Sequence, residues 1–593
     1  MAAIKLPIFA GMVPSVDDYL LADQNAAYCE NAYLYSGALV GLPSKQPLHT
    51  MVDPLATVAF RVPTDDTDPS YMYDGFWKEF QDPQTDFIKA PTSGDSYKRY
   101  YWTSPTGVPS YNTRDRILAG QPAWLLGLPQ PGNLNVVAAG GVSTTLVSRA
   151  YVTTLVTEYG EEGPASNPFL INGKIDDNYT VTIAGVAASD MGVNRNVKKI
   201  RLYRTITSAS GVADYFLLTE VNALTTTQNF VDNITDATLA SKPILESTAW
   251  SAPPALDGFI TMPNGIVAGY LNNELWFSEA YRPHAWPAAY SLTLEHIIVG
   301  LGVVGQTLVV CTTGNPATAS GVNPASITTA KLAPFEPCTN KGSIMSTEAG
   351  VFYASPNGLI LVNAGVAENI TKQYISRDKW NEVVNYGKIV AGRFGSAYYA
   401  MGASTQQLFQ EDFVQKNMVQ IKGDIGAIDG FLLDPANSNV GFSYIQEAEE
   451  VLTITNDMLS GEIVMVKGGK AHWLDQRPGF STEVYKWRSK IYQTPELVNF
   501  AAFKAYMYEN PSRVYTDPQN FNINQVFNPN KQNAVLRIYA DGKLLLAHEL
   551  RKSGELHRMP TGFKAAFWQI EIEGFIKIKN FQMATSVKEL ASV

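Results

Sequence analysis

From residue 250 onward the chain repeats one pattern without repeating its letters: an apolar strand, a tight turn, a second apolar strand. IVAGYLNNELWFSE turns at Asn272–Asn273, GVVGQTLVVCTT at Gly305–Gln306, AGVFYASPNGLILVN at Pro356–Asn357–Gly358 and KIVAGRFGSAYYAMG at Phe394–Gly395. DGFLLDPANSNVGF turns near Asn437, and GEIVMVKGGKAHWLD at Gly468–Gly469. Asn and Gly tolerate the positive φ that tight hairpins need. The units recur about every 30 to 50 residues, the spacing of propeller blades. A single hairpin is marginal in water, so such units must bury their faces on one another. A ring of small sheets does this and leaves only short edges. The pattern therefore predicts a β-propeller-like core over 250–475.

The flanks are also β-rich, which makes the expected fold class all-β. LGLPQPGNLNVVAAGGVS at 126–143 reads as a linker. SRAYVTTLVTEYGEEGPAS, YTVTIAGV, KKIRLYRTI, DYFLLTEV and QNFVDN follow it as five strands, with Ile200 and Leu202 alternating with Arg201. They predict an inserted β-sandwich over 140–248. Over 476–593, AVLRIYADGKLLLAHEL carries the hairpin signal Asp541–Gly542. In AAFWQIEIEG, Trp568, Ile570, Ile572 and Gly574 form the expected buried face, opposite Phe567, Gln569, Glu571 and Glu573. A C-terminal β-sandwich is expected there, although PELVNFAAFKAYM fits a helix nearly as well as a strand. Residues 1–130 form an N-terminal segment. Asp23 caps a possible helix over 23–33, and strand-like YMYDGFWKEF and YKRYYWTS can add to the propeller.

The net charge of −10 argues against a surface built to grip phosphates. Cys29, Cys311 and Cys338 lack both a disulfide framework and metal spacing, which fits synthesis in a reducing cytoplasm. The first 20 residues make a poor signal peptide, and HIIVGLGVVGQTLVV is too short and glycine-rich to span a bilayer. The six histidines, His49, His284, His296, His472, His548 and His557, show no zinc spacing. In HELRKSGELH the second His comes nine residues after the first, not four. Nucleophile-elbow, phosphate-loop and dinucleotide fingerprints are missing, so no catalytic, cofactor or metal residue is assigned.

Four constellations each carry a functional and a bland reading. Asp65, Asp66, Asp68 and Asp74 suit a cation by ligand type but not by EF-hand spacing, and otherwise make a solvated loop. Arg195, Lys198, Lys199, Arg201 and Arg204 offer an acidic partner a basic patch, or are strand residues facing solvent in alternation. Tyr281, Arg282, Pro283, His284, Trp286 and Pro287 make a ligand platform or a rigid packed turn. Asn178, Asn233 and Asn369 are glycosylation sequons, empty of meaning without secretion.

FAGMVPSVDDYLLADQNAAYCENAYLYSGALVGLP at 9–43 resembles the opening of tail tubular (nozzle) proteins of short-tailed bacteriophages. WFSEAYRPHAWP at 276–287 and ASPNGLILV at 354–362 are similar to the propeller part of that family. VYKWRSKIY at 484–492, RMPTGFKAAFWQIEIEG and MATSVKEL resemble its C-terminal sandwich. AYVTTLVTEYGEEGPAS at 150–166 resembles a fibronectin type III strand and turn, which implies a fibronectin III/Ig-like insertion. The stretch 44–130 resembles nothing nameable. The resemblance implies a virion tail protein, assembled in the bacterial cytoplasm, with no catalytic residues. It implies a hexameric ring below the portal and head-tail adaptor, with the 1–130 segment contributing to the adaptor contact. Tail fibres or spikes attach outside, and genomic DNA is ejected through the channel without specific binding. An acidic wall fits such a conduit. A receptor- or glycan-binding tail component, and a polysaccharide-cleaving enzyme, are the alternatives.

Overall fold

In a computed structural model the described residues are 3–64, 75–207, 213–363, 365–402, 409–411, 418–420, 430–435, 441–447, 449–474, 482–508 and 534–591. The chain is all-β, built from many small sheets. The hairpin turns follow from backbone chemistry. Asn272 (φ 54°), Asp541 (φ 46°) and Gly542 (φ 76°) occupy the left-handed region that two-residue hairpins require. Gly305–Gln306 and Gly468–Gly469 also close hairpins where expected. The turn expected at Phe394–Gly395 is made by Gly395 and Ser396, one position later. The turn near Asn437 lies outside the described residues.

The chain divides into two compact units, residues 1–59, 79–83 and 336–593, and residues 60–78 and 84–335. In the second unit, three sheets are four-stranded antiparallel meanders. Their strands are Asp86–Lys89 to Trp124–Leu125, Gly258–Thr261 to Leu292–Thr293, and Ile298–Val304 to Thr328–Lys331. Between the first two lies the insertion. One of its sheets orders Asn135–Ala139, Asn178–Ile183 and Gln228–Asp232. The other orders Phe169–Lys174, Leu146–Thr157, Val197–Thr207 and Ala213–Asn222. Both bury side chains in one cluster that includes Val136, Tyr151, Leu155, Val181, Ile200 and Leu202. Asn135–Ala139 is thus a strand inside the expected linker.

In the first unit, Met345–Ser346 to Val366–Asn369 form another four-stranded meander. Val451–Asn456, Ile463–Lys467 and Lys470–Leu474 form three strands of the next sheet, and Lys45–Thr50 supplies the fourth. Val390–Phe394, Ala397–Met401, Gly430–Leu433 and Phe442–Ile445 pair in order, then continue into a larger sheet. Ala26–Glu30 joins that sheet parallel to Phe442–Ile445 and antiparallel to Tyr485–Ser489. Ala565–Gly574, Ala534–Ala540 and Lys543–Leu550 continue it, and Tyr492–Val498 pairs with Ala565–Gly574 as its tenth strand. A separate sheet orders Ala3–Leu6, Ile578–Ala584, Ala502–Met507 and Leu556–Arg558. Leu6, Phe503 and Met583 of this sheet share a core with Trp487, Trp568 and Ile570 of the larger one.

The helix expected over 23–33 is instead strand, at Ala26–Glu30 and Ala32–Tyr33. Its pairing on both sides inside a large sheet, with Ala26 and Cys29 buried, outweighs a weak helix preference. PELVNFAAFKAYM resolves as strand, within Tyr492–Val498 and Ala502–Met507. Residues 476–593 do not close on themselves, because strands from 3–6 and 26–30 pair with them. Trp568, Ile570 and Ile572 are fully buried on the expected face. Glu571, on the opposite face, is buried too.

Candidate functional site

The segment Tyr281–Pro287 folds as a packed turn. Trp286 is buried and its Nε1 donates to the Pro283 carbonyl at 2.6 Å. Tyr281 sits at φ 60° with its ring against Gly265, where a Cβ would lie 2.4 Å from the ring. The Arg282 guanidinium stacks on Trp250, 4.2 Å from the ring centroid. These contacts fix the backbone and carry His284 into the interior of the second unit.

His284 there meets a polar cluster assembled from three other segments. Arg99 donates to Glu161 at 2.6 Å and is clamped by both carboxylate oxygens of Asp95 at 3.1 Å. Glu161 is itself held in its turn, where its backbone N–H donates to Thr157 Oγ1 at 3.1 Å. His284 Nδ1 lies 4.0 Å from Glu161, and His284 Nε2 has no hydrogen-bond partner. Burial lowers the His284 pKa, and the Arg99 and Arg282 charges add to that against the pull of Glu161. The hydroxyls of Tyr101 and Tyr111 are buried beside Glu161, and burial, with Glu161 adding its charge, raises both well above the usual phenol range. The cluster joins the insertion, through the end of Leu146–Thr157, to Arg99–Thr103 and Ser110–Thr113. It is an ionic pin with spare donors, and it has no nucleophile paired to a base.

A second cluster lies inside the insertion. Asp232, fully buried, accepts from Tyr151 Oη and Arg204 Nη1, each at 2.7 Å. Arg204 also reaches Asp236 at 2.7 Å, and Arg149 stacks on Tyr179 at 4.3 Å. Of the five cations expected to meet an acidic partner or to face solvent in alternation, Arg204 is the one this corrects. Lys199 and Arg201 do point outward, where both pair with Glu220. Arg204 shares the inward register of Ile200 and Leu202 and is 0% exposed. Arg195 is tied to the Leu126 and Gly127 carbonyls, and Lys198 is exposed.

Glu571 is a further buried acid. Burial works to raise its pKa, but Arg488, Lys486 and Arg537 outweigh that and hold it below the usual range. Arg488 Nε donates to it at 2.7 Å and Arg537 at 2.9 Å. His548 and His557, dismissed on sequence spacing, come together with ring centroids 4.2 Å apart, both against Phe503. Among the described residues no group of three or more His, Cys, Asp or Glu is placed to hold a metal ion. Asp65, Asp66, Asp68 and Asp74 lie outside those residues. Of the sequons, Asn369 spends its side chain on the Asn357 carbonyl and the Thr371 hydroxyl and N–H. Asn178 is exposed at the start of its strand, and Asn233 follows the strand that ends at Asp232.

No family model matches the sequence, and no curated protein matches it. Among solved structures, the chain resembles the extracellular domain of the one component system BT4673 from B. thetaiotaomicron. The identity is 12%, over 52% of this chain and 42% of that one, at a TM-score of 0.23. It also resembles the N-terminal domain of Nup159, at 11% identity over 46% of this chain and 85% of that one, TM-score 0.22. BBS1N, solved in complex with ARL6DN, is 13% identical over 47% of this chain and 89% of that one, TM-score 0.21. This chain spans less than half of the BT4673 domain, and likenesses at these scores carry no inference about fold or function.

Proposed function

We propose that this chain is a structural subunit of a bacteriophage tail, a nozzle (tail tubular) protein. In this reading it forms a hexameric ring around the DNA-ejection channel, below the portal and head-tail adaptor, with tail fibres or spikes attached outside. The observation that carries the reading is the recurrence of small four-stranded meanders, three of them in the second unit and a further one at 345–369 in the first. Such sheets are the repeating piece of a propeller. The paired sheets of the insertion fit a fibronectin III/Ig-like sandwich set between them. Their polar clusters pin segments together, as an assembly under mechanical load needs, and the net charge of −10 suits a conduit that must not hold DNA.

Negative-stain electron microscopy of the purified full chain, alone and with phage heads lacking a tail, tests this. Six-fold rings seated on the head vertex are expected. A chain that stays monomeric in both settings overturns the reading. Exposed Tyr35 and Tyr281 favour a second reading, a glycan-binding tail component. Adsorption of the isolated chain to host cells, blocked by free polysaccharide, would select that one.

A further inference from the structure

The separate four-stranded sheet of the first unit has two unlike faces. Leu6, Phe581, Met583 and Phe503 point into the core. On the opposite face, Lys5 pairs across to Gln582, and Gln582 to Lys504. Arg558 lies two residues from Leu556, the partner of Lys504, and therefore on that same face. Further along, Tyr506 pairs with Asn580. Tyr508, half exposed, lies between Lys577 and Lys579, whose ammonium groups sit 4.6 and 3.7 Å from its ring centroid. The short helix Val587–Ala591 packs over Ala502 and Ala584 through Leu590, and places Lys588 in solvent beside them.

Lys5, Lys504, Arg558, Lys577, Lys579 and Lys588 thus gather on one face. Among the described residues none of the six makes an ion pair. Lys504 donates only to the Leu590 carbonyl, at 3.4 Å. Of the nearby carboxylates, Glu589 is taken up by Thr585 and Ser586, and Glu555 lies 3.9 Å from His557. This contrasts with Lys199, Arg201, Arg204, Arg488 and Arg537, all of which are neutralised. The cations also lie beside Tyr506, which is partly buried, and Tyr508, which is half exposed. Six positive charges set apart from a net −10 leave −16 on the rest of the molecule.

We infer that this basic face docks onto the acidic surface of a second copy of the chain. One copy's cations against another's acids is a head-to-tail contact, the kind that closes into rings or runs on as filaments. A second copy supplies the matching charge, because the rest of each chain carries a net −16, opposite in sign to this face. The inference deepens the proposed function, resting on its premise that copies assemble, and names the surface they would use.

Sedimentation velocity and electron microscopy of the full chain test it. The variants are Lys504→Glu/Arg558→Glu/Lys579→Glu and the milder Lys577→Gln/Lys579→Gln, both checked for native circular dichroism. Wild type is expected to associate more weakly as salt rises from 50 to 500 mM, since exposed charges beyond about 10 Å are screened at about 0.1 M. The triple reversal is expected to weaken association by about a hundredfold or more, because like charges then face each other. Glutamine substitution should produce a smaller loss in the same direction. Rings that persist unchanged in both variants overturn the inference and leave the nozzle reading standing. Face-dependent association into dimers or filaments keeps the inference and removes the nozzle reading. A wild type that never associates overturns both. Binding of a 30-nucleotide DNA by the wild type, lost in the reversal variant without change in association, assigns the face to nucleic acid and overturns the inference.

Discussion

Replacing Asp232 with Asn changes almost no volume but removes the one fully buried carboxylate of the insertion. Its Oδ2 faces Arg204 Nη1 and Tyr151 Oη at 2.7 Å, with Arg149 at 4.0 Å, and its Oδ1 accepts the Ile234 N–H at 3.1 Å. Arg204 is 0% exposed and cannot turn to water. Breaking a buried pair from one side costs about 3–5 kcal/mol, since the surviving charge stays buried. Asp236 still touches Arg204 and is 46% exposed, which places the expected cost near the lower end, about 3 kcal/mol. At about 1.4 kcal/mol per decade, that is roughly a hundredfold increase in local opening. Hydrogen exchange on the full chain reads this directly. Peptides covering Leu146–Thr157, Val197–Thr207 and Gln228–Asp232 should exchange about a hundredfold faster, while the sheet at Ile298–Lys331 stays unchanged. An Arg204→Met/Asp232→Leu double variant should lose less than Asp232→Asn alone. Exchange within about threefold of wild type in Asp232→Asn would refute the reasoning, because it would mean that water already solvates the pair.

Other perturbations have equally definite outcomes. Glu571→Gln leaves Arg488 and Arg537 without their shared carboxylate and should lower stability by about 3 kcal/mol, read as a fall in urea midpoint. Burial and mutual repulsion depress the pKa of His548, and burial that of His557 despite Glu555, so the unfolded chain binds protons first as pH drops. Stability should therefore be intact above about pH 6.5 and fall below it, until the native imidazoles protonate in turn. His548→Phe should flatten that slope between pH 7 and 5 in urea titrations. Gly265→Ala strains a residue at φ 80° and drives a methyl into Tyr281, and should lower stability by about 1–3 kcal/mol, read as a fall in thermal midpoint. Cys29 is fully buried with its thiol pushed up to about 12, chiefly by burial, and Cys311 and Cys338 are buried as well. None of the three should react with a thiol reagent until the chain unfolds.

Local chemistry was legible in the sequence, and distant pairing was not. Asn272, Gly468 and Asp541–Gly542 betrayed their hairpins because few residues accept positive φ. The alternation of Trp568, Ile570 and Ile572 revealed a buried face because side chains on a strand have period two. That same alternation concealed Glu571, since an acid reads as exposed until its cations are known. Arg204 misled in the same way, because its partner Asp232 lies on another sheet. Arg99, Glu161 and His284 are brought together from segments far apart in sequence, and no spacing rule joins them. The false helix at 23–33 came from weighing local preference without the strands that flank it.

The pairing of Ala3–Leu6 with Ile578–Ala584, and of Lys45–Thr50 with Lys470–Leu474, also sets a clock for synthesis. A ribosome adding about 5–20 residues per second takes roughly half a minute to two minutes to make Ile578 after Leu6 has emerged. Throughout that interval Ala3–Leu6 has no native partner, and Lys45–Thr50 waits for its own until Lys470–Leu474 is made, so both present open edges to other nascent chains. The second unit, contained within 60–335, can fold in the meantime. The first cannot be finished until Ala584 has been made, so a product stalled or truncated before that residue would carry an exposed, aggregation-prone strand at Ala3–Leu6.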